Sequence, residues 1–126
     1  MGHEVSGYID EAGEGVDLEA TGLKVGDPIM VLHNRGCTKC KLCIMGCFNY
    51  CLDPECVWLH VGVGSVYQGG FQTHLSLPLA NIKKIPKGLP METATMMSCS
   101  VGTTFGAIMK IRNAVEFAKV NINRNH

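Results

Sequence analysis

Six of the seven cysteines in this 126-residue chain lie between residues 37 and 56. They run Cys37-x2-Cys40-x2-Cys43, followed by Cys47, Cys51 and Cys56. Spacings this short let several sulfurs meet at one point without long-range folding. Thiolates are soft ligands suited to zinc or to iron–sulfur clusters. Six cysteines in one polar loop are too dense for ordinary core residues. Residues 36–56 also lack apolar periodicity, so the lobe needs an external staple, and a metal replaces its missing core. Gly36 and Gly46 supply the backbone freedom of a tight loop. The cysteine count is odd, and Met1-Gly2-His3-Glu4 has no basic region followed by an apolar core. A disulfide framework fits poorly, and a reduced, cytoplasmic chain with a metal site fits better.

Local spacing leaves two ligand sets open. Cys37, Cys40, Cys43 and Cys51 form a C-x2-C-x2-C-x7-C run. Cys37, Cys40, Cys43 and Cys47 form C-x2-C-x2-C-x3-C, the bacterial ferredoxin spacing for a [4Fe–4S] cluster, with Phe48 where proline normally follows. The second set makes a small electron-transfer protein the rival reading. A non-catalytic zinc module that assembles with partners is another.

Eleven basic and eleven acidic residues cancel, which argues against nucleic acid as a partner. No apolar run is long enough for a membrane span. The length fits one domain with a real core. Strands are predicted at Val5–Ile9, Ile29–Leu32, Val57–Val63, Phe71–Leu77 and Ile82–Ile85, with turns at 11–15 and 22–28. Pro90 suits the first turn of a helix, and Glu92 complements its dipole. A second helix is predicted over about 103–111, with Phe105, Ile108 and Met109 on one face and Ala114, Phe117 and Ala118 continuing the period. The polar tail 121–126 is expected to fray.

Other signals fail on inspection. Gly62-Val63-Gly64-Ser65-Val66-Tyr67 begins like a dinucleotide fingerprint, but Tyr67 replaces the third glycine and Gly69-Gly70 breaks any following helix. His3-Glu4 begins like a zinc-protease motif, but Gly7 stands at the second histidine position. His33, His60, His74 and His126 show no partner pattern.

Taken in order, the motifs resemble the catalytic domain of zinc-dependent medium-chain alcohol dehydrogenases. Gly2-His3-Glu4 is similar to that family's Gly-His-Glu, and Val25-Gly26-Asp27 follows before the next strand. Cys37, Cys40, Cys43 and Cys51 match its four-cysteine zinc lobe. Gly69-Gly70-Phe71 and Ile85-Pro86-Lys87-Gly88-Leu89 match later strands, and Ser98-Cys99-Ser100-Val101-Gly102-Thr103 a later zinc-binding segment. The resemblance implies a GroES-like, partly open β-barrel, mainly β with a few helices, carrying a cysteine-rich zinc lobe at 36–56. It implies structural zinc on Cys37, Cys40, Cys43 and Cys51, with Cys47 and Cys56 as non-ligands. It further implies a catalytic zinc with His3 and Cys99 as ligands, Glu4 as a glutamate able to enter the coordination sphere, and Thr103 near the nicotinamide of NAD(P).

Two departures shape the expectation. No cysteine precedes Cys37, whereas the family's first zinc cysteine lies upstream of Gly-His-Glu, and residues 111–126 hold no glycine-rich fingerprint. The expectation is therefore a single partial domain over 1–126 without a Rossmann domain, its catalytic site a remnant and the isolated chain inactive. Uncovered strand edges and apolar surface predict a homo-oligomer or other self-association, unless the tail 111–125 folds back over them.

Overall fold

Inward-facing apolar residues alternate along the segment Pro28–Val31, and that alternation sets the centre of the fold. This segment is strand β2, with Ile29 and Val31 buried and Pro28 and Met30 less so. The computed structural model describes residues 1–33, 36–54, 56, 63–64 and 68–123. Strand β1 (Ser6–Tyr8) and strand β3 (Ile82–Lys84) flank β2, both antiparallel, in an open sheet ordered β1-β2-β3. Ser6 faces Met30, and Val31 faces Ile82. Ile9, Leu23, Ile29, Val31 and Val63 form the core, with Val5, Leu18, Leu75, Leu77, Leu79 and Ile82 packed around it.

A buried carboxylate ties the sheet together. Asp27 closes the turn into β2: its carboxylate accepts from the Lys24 backbone N–H at 3.0 Å and from Lys84 Nζ, on β3, at 2.7 Å. Asn81 does similar work at the other end of the β2–β3 pair, where its Nδ2 donates to the Leu32 carbonyl at 2.9 Å.

Helices follow the sheet. The short α1 (Lys41–Ile44) lies in the cysteine lobe. Pro90 takes the N-cap of α2 (Met91–Met96), one position before the first turn. Helix α3 runs over Gly102–Asn123, past the predicted 103–111 and through Ala114, Phe117 and Ala118, which continue its period. A π-helical turn, Met97–Val101, joins α2 to α3. The Ser6 hydroxyl reaches the Met91 carbonyl at 3.3 Å and pins α2 on β1.

Two sequence expectations are corrected. Phe71–Leu77 is not a strand, and Phe71 is exposed. Leu75 and Leu77 alternate toward the core, which produced the strand signal, but the preceding Gly70 spends its N–H on the Gly2 carbonyl at 2.7 Å rather than on a ladder. The tail does not fold back: α3 continues to Asn123, with Ile111 and Val115 exposed. The strand predicted at Val57–Val63 lies outside the described residues except for Val63, as does the extreme tail.

The hydrogen bond from Lys84 holds the Asp27 carboxyl below its ordinary range, against the opposing effect of burial. As pH falls, the unfolded chain takes up this proton first. The contribution of Asp27 is thus complete above about pH 4, the ordinary carboxylate value, and is lost as pH drops through the lower folded value. Acid titration followed by circular dichroism should show Asp27→Asn to be less stable than the parent at neutral pH, with the difference shrinking below that point.

Candidate metal centres

The lobe brings together Cys37, Cys40, Cys43 and Cys51, whose sulfurs all lie within 4.8 Å of one another. Cys37 and Cys43 are buried, and Cys40 and Cys51 partly so. Backbone amides point at the sulfurs. The N–H groups of Cys40 and Lys39 donate to Cys37 Sγ at 3.2 and 3.4 Å, and the Cys37 N–H donates to Cys51 Sγ at 3.4 Å. A tetrahedral zinc with Zn–S of about 2.3 Å requires S···S edges of about 3.8 Å. The Cys37–Cys43 sulfur separation is 3.9 Å. The donor set therefore fits a tetrathiolate metal.

Local backbone explains the convergence. Cys40 caps α1, which turns Cys43 inward, and Gly46 at φ +80° reverses the chain after it. Gly36 matters for a reason other than flexibility. A Cβ there would overlap the Cys43 sulfur and approach Phe48 Cδ1 at 2.7 Å, so only glycine leaves room for the thiol. Thr38 adopts a positive φ of 61°, unusual for a β-branched residue, inside the same loop.

Electrostatics divide the sulfurs. Hydrogen bonds from the Leu52 and then the Cys43 backbone bring the Cys40 thiol down to about 6, within reach of neutral pH as a thiolate. Burial pushes Cys43 up to about 12. At Cys51 burial acts upward, but amide donors from Cys37 and Asp53 outweigh it and the net shift is down. Cys47 is exposed and outside the cluster. Cys56, which the sequence places only as a non-ligand, packs directly on the cluster. Burial, then the charge of Cys51, raises its thiol to about 11.

A second group assembles residues 96 positions apart. The ligand atoms of His3, Glu4 and Cys99 lie within 4.8 Å of one another. Cys99 sits in the π-helical turn, a local widening that re-aims side chains and often marks functional sites. Glu4 Oε1 accepts from the Ser100 N–H at 2.9 Å and from the Ser100 hydroxyl at 2.6 Å. The Ser100 hydroxyl, then its amide, lower the Glu4 carboxyl. The main chain at Gly2 is held from the other side: a Cβ at Gly69 would overlap the Met1 carbonyl, and one at Gly64 would come within 2.6 Å of the Gly2 oxygen. Gly64, read above as part of a failed nucleotide motif, thus serves close backbone approach. Thr103 occupies the first turn of α3 and is exposed, and is not part of either cluster. A groove lined by Thr21, Leu23, Leu79, Ile82 and Lys83 shares no residue with either.

The profile of the alcohol dehydrogenase GroES-like domain matches residues 1–87. The chain is 36% identical over 96 residues to L-threonine 3-dehydrogenase of Pyrococcus horikoshii, covering 76% of this chain and 25% of that protein. It is 28% identical over 139 residues to alcohol dehydrogenase-like 2 of Arabidopsis thaliana, covering 97% of this chain and 35% of that protein. Galactitol-1-phosphate dehydrogenase from Escherichia coli superposes with a TM-score of 0.61 at 29% identity, over 75% of this chain and 25% of that one. The chain thus spans a quarter to about a third of the length of these relatives.

Gly36→Ala should disturb the lobe without touching a sulfur ligand. The added methyl group meets Cys43 Sγ, and overpacking of this kind costs about 1–3 kcal/mol. Metal analysis of the purified variant should show reduced content, with faster proteolysis confined to 36–56. Unchanged metal content would contradict the packing argument.

Proposed function

Because the chain belongs to the alcohol dehydrogenase GroES-like domain family, of the zinc-type medium-chain dehydrogenases, we propose that it is a zinc-binding catalytic domain of an alcohol dehydrogenase-like oxidoreductase. The observation that carries this reading is the convergence of Cys37, Cys40, Cys43 and Cys51. That set, and not the ferredoxin-spaced set with Cys47, is the one whose sulfurs meet, which favours structural zinc over a [4Fe–4S] cluster. Cys56 packs on the cluster but is not among the four sulfurs that meet, which supports a packing role rather than a ligand's.

In this reading His3, Glu4 and Cys99 hold a second, catalytic-type zinc. Such an ion polarises an alcohol or aldehyde oxygen and lowers the alcohol pKa. The chain's own residues position that centre. The glycines at 64 and 69 fix the main chain that carries His3, the π-helical turn aims Cys99, and Ser100 orients the Glu4 carboxylate. Thr103 is assigned a contact with the nicotinamide, with NAD(P) bound by a full-length family member. A metal in the lobe alone would favour the zinc assembly module instead. Seven cysteines, none in a disulfide, support a reducing, cytoplasmic location. No helix of the described residues is long and apolar enough to cross a membrane.

Elemental analysis should find about two zinc ions per chain, falling to about one in Cys51→Ser and staying at two in Cys47→Ser. A requirement for Cys47 in place of Cys51 would overturn the lobe assignment. The sequence holds no complete glycine-rich nucleotide fingerprint, so the same sample should oxidise no alcohol with NAD or NADP. Turnover on the order of 1 per second would contradict this.

Self-association follows from the surface of α3. Phe105, Ile108, Ile111 and Val115 are each between 49% and 65% exposed, and the chain has no net charge to oppose contact. Light scattering during size exclusion should give a mass above 13.6 kDa. A sharp monomer at high concentration would refute it.

A further inference from the structure

The lobe buries one sulfur more than a tetrahedral zinc uses. Cys56 is 8% exposed and shares a buried cluster with Cys37 and Cys43, against which Cys40 and Cys51 pack. A tight turn places it there: the Cys56 amide donates to the carbonyl of Asp53, two residues after Cys51, at 3.1 Å. Of the four proposed ligands, Cys51 acts on the Cys56 thiol most strongly, by its charge and through a side-chain hydrogen bond. Cys47, the remaining cysteine of the lobe, is exposed and outside the cluster.

Cysteine oxidation begins at a thiolate that the oxidant reaches. Metal coordination keeps a cysteine deprotonated. Among the four proposed ligands Cys37 and Cys43 are buried, whereas Cys40 and Cys51 are partly exposed. A sulfenic acid formed at such a position has two fates. It condenses with a neighbouring thiol to a disulfide, which thiols reverse, or further oxidant takes it to the irreversible sulfinic acid. Cys56 is a neighbour of Cys51 that the metal does not engage, so it is free for the first fate.

We propose that Cys56 is the resolving thiol of a reversible, peroxide-sensitive switch in the lobe, joining Cys51 in a disulfide that releases zinc. The proposal rests on the reading of the lobe as a zinc site. Hydrogen peroxide is the oxidant. The Cys51 thiolate attacks one peroxide oxygen, an S–O bond forms as the O–O bond breaks, and hydroxide leaves. The Cys56 sulfur then attacks Cys51 Sγ, and the oxygen leaves as water with the Cys56 proton. One peroxide is reduced by two electrons, and two cysteine sulfurs are oxidised to one disulfide. Zinc loses Cys51 and keeps three thiolates, and this incomplete set holds it more weakly.

Peroxide treatment of the zinc-loaded full chain tests this. Cleavage after lysine and before Asp53 puts Cys51 and Cys56 on different peptides. Mass spectrometry should find those two peptides joined by a disulfide, a chelating dye should register release of the lobe's zinc, and dithiothreitol should restore its binding. Cys56→Ala should bind as much zinc before oxidation. After excess peroxide it should carry Cys51 as sulfinic acid and fail to recover the lobe's zinc on reduction. If Cys56→Ala alters the fold by circular dichroism, the disulfide map of the parent decides. A disulfide between Cys37 and Cys43 instead, whose sulfurs are 3.9 Å apart, or full recovery of zinc by a folded Cys56→Ala, overturns the proposal alone. A purified chain whose lobe holds no zinc overturns it together with the zinc reading.

Discussion

Four sulfurs gathered within 4.8 Å impose the arrangement of residues 36–56. Among the described residues of that lobe there is no other buried cluster. Its exposed residues include Ile44, Met45, Phe48, Tyr50 and Leu52, so most of its large apolar side chains face outward, and its buried cluster consists of cysteines alone. Each backbone feature of the lobe answers to the sulfurs. Gly36 lacks a side chain because Cys43 occupies the space, the Lys39 and Cys40 amides point at Cys37, and Thr38 accepts an unfavourable φ to let them do so. Without a cation, partly ionised thiols this close repel one another. In the proposed account zinc converts that repulsion into the lobe's main source of stability.

The second centre depends on a different constraint. His3 and Glu4 are near the start of the chain and Cys99 is in the third helical segment, so no local spacing can bring them together. Two devices do so. The Gly2 carbonyl accepts the Gly70 amide at 2.7 Å in a contact that tolerates no side chain at Gly69, and Glu4 is bonded to the Ser100 amide in the π-helical turn. The sheet connects the two devices, because Ser6 on β1 holds α2 just ahead of that turn.

What the sequence discloses follows the range of the interaction. The sulfur cluster was legible because all its ligands lie within 15 residues, and strands β1, β2 and β3 because Gly, Asp and Pro punctuate them. Motif order supplied the family, and with it His3, Glu4 and Cys99. The π-helical turn left no trace, since no residue pattern separates it from a continuous helix. Phe71–Leu77 misled because alternation records which side chains face the core and not whether the backbone pairs. His33 was set aside for want of a partner in sequence. Its ring packs on that of His3, 30 positions away in sequence, a contact that no local pattern discloses.

The central claim is that a tetrathiolate zinc organises the lobe. X-ray absorption at the zinc edge tests it most directly, on a His3→Ala, Cys99→Ser chain in which only the lobe can hold metal. The account predicts a single shell of four sulfurs at about 2.3 Å. A shell mixing sulfur with nitrogen or oxygen, or a chain that carries iron with iron–iron scattering in place of zinc, would contradict it.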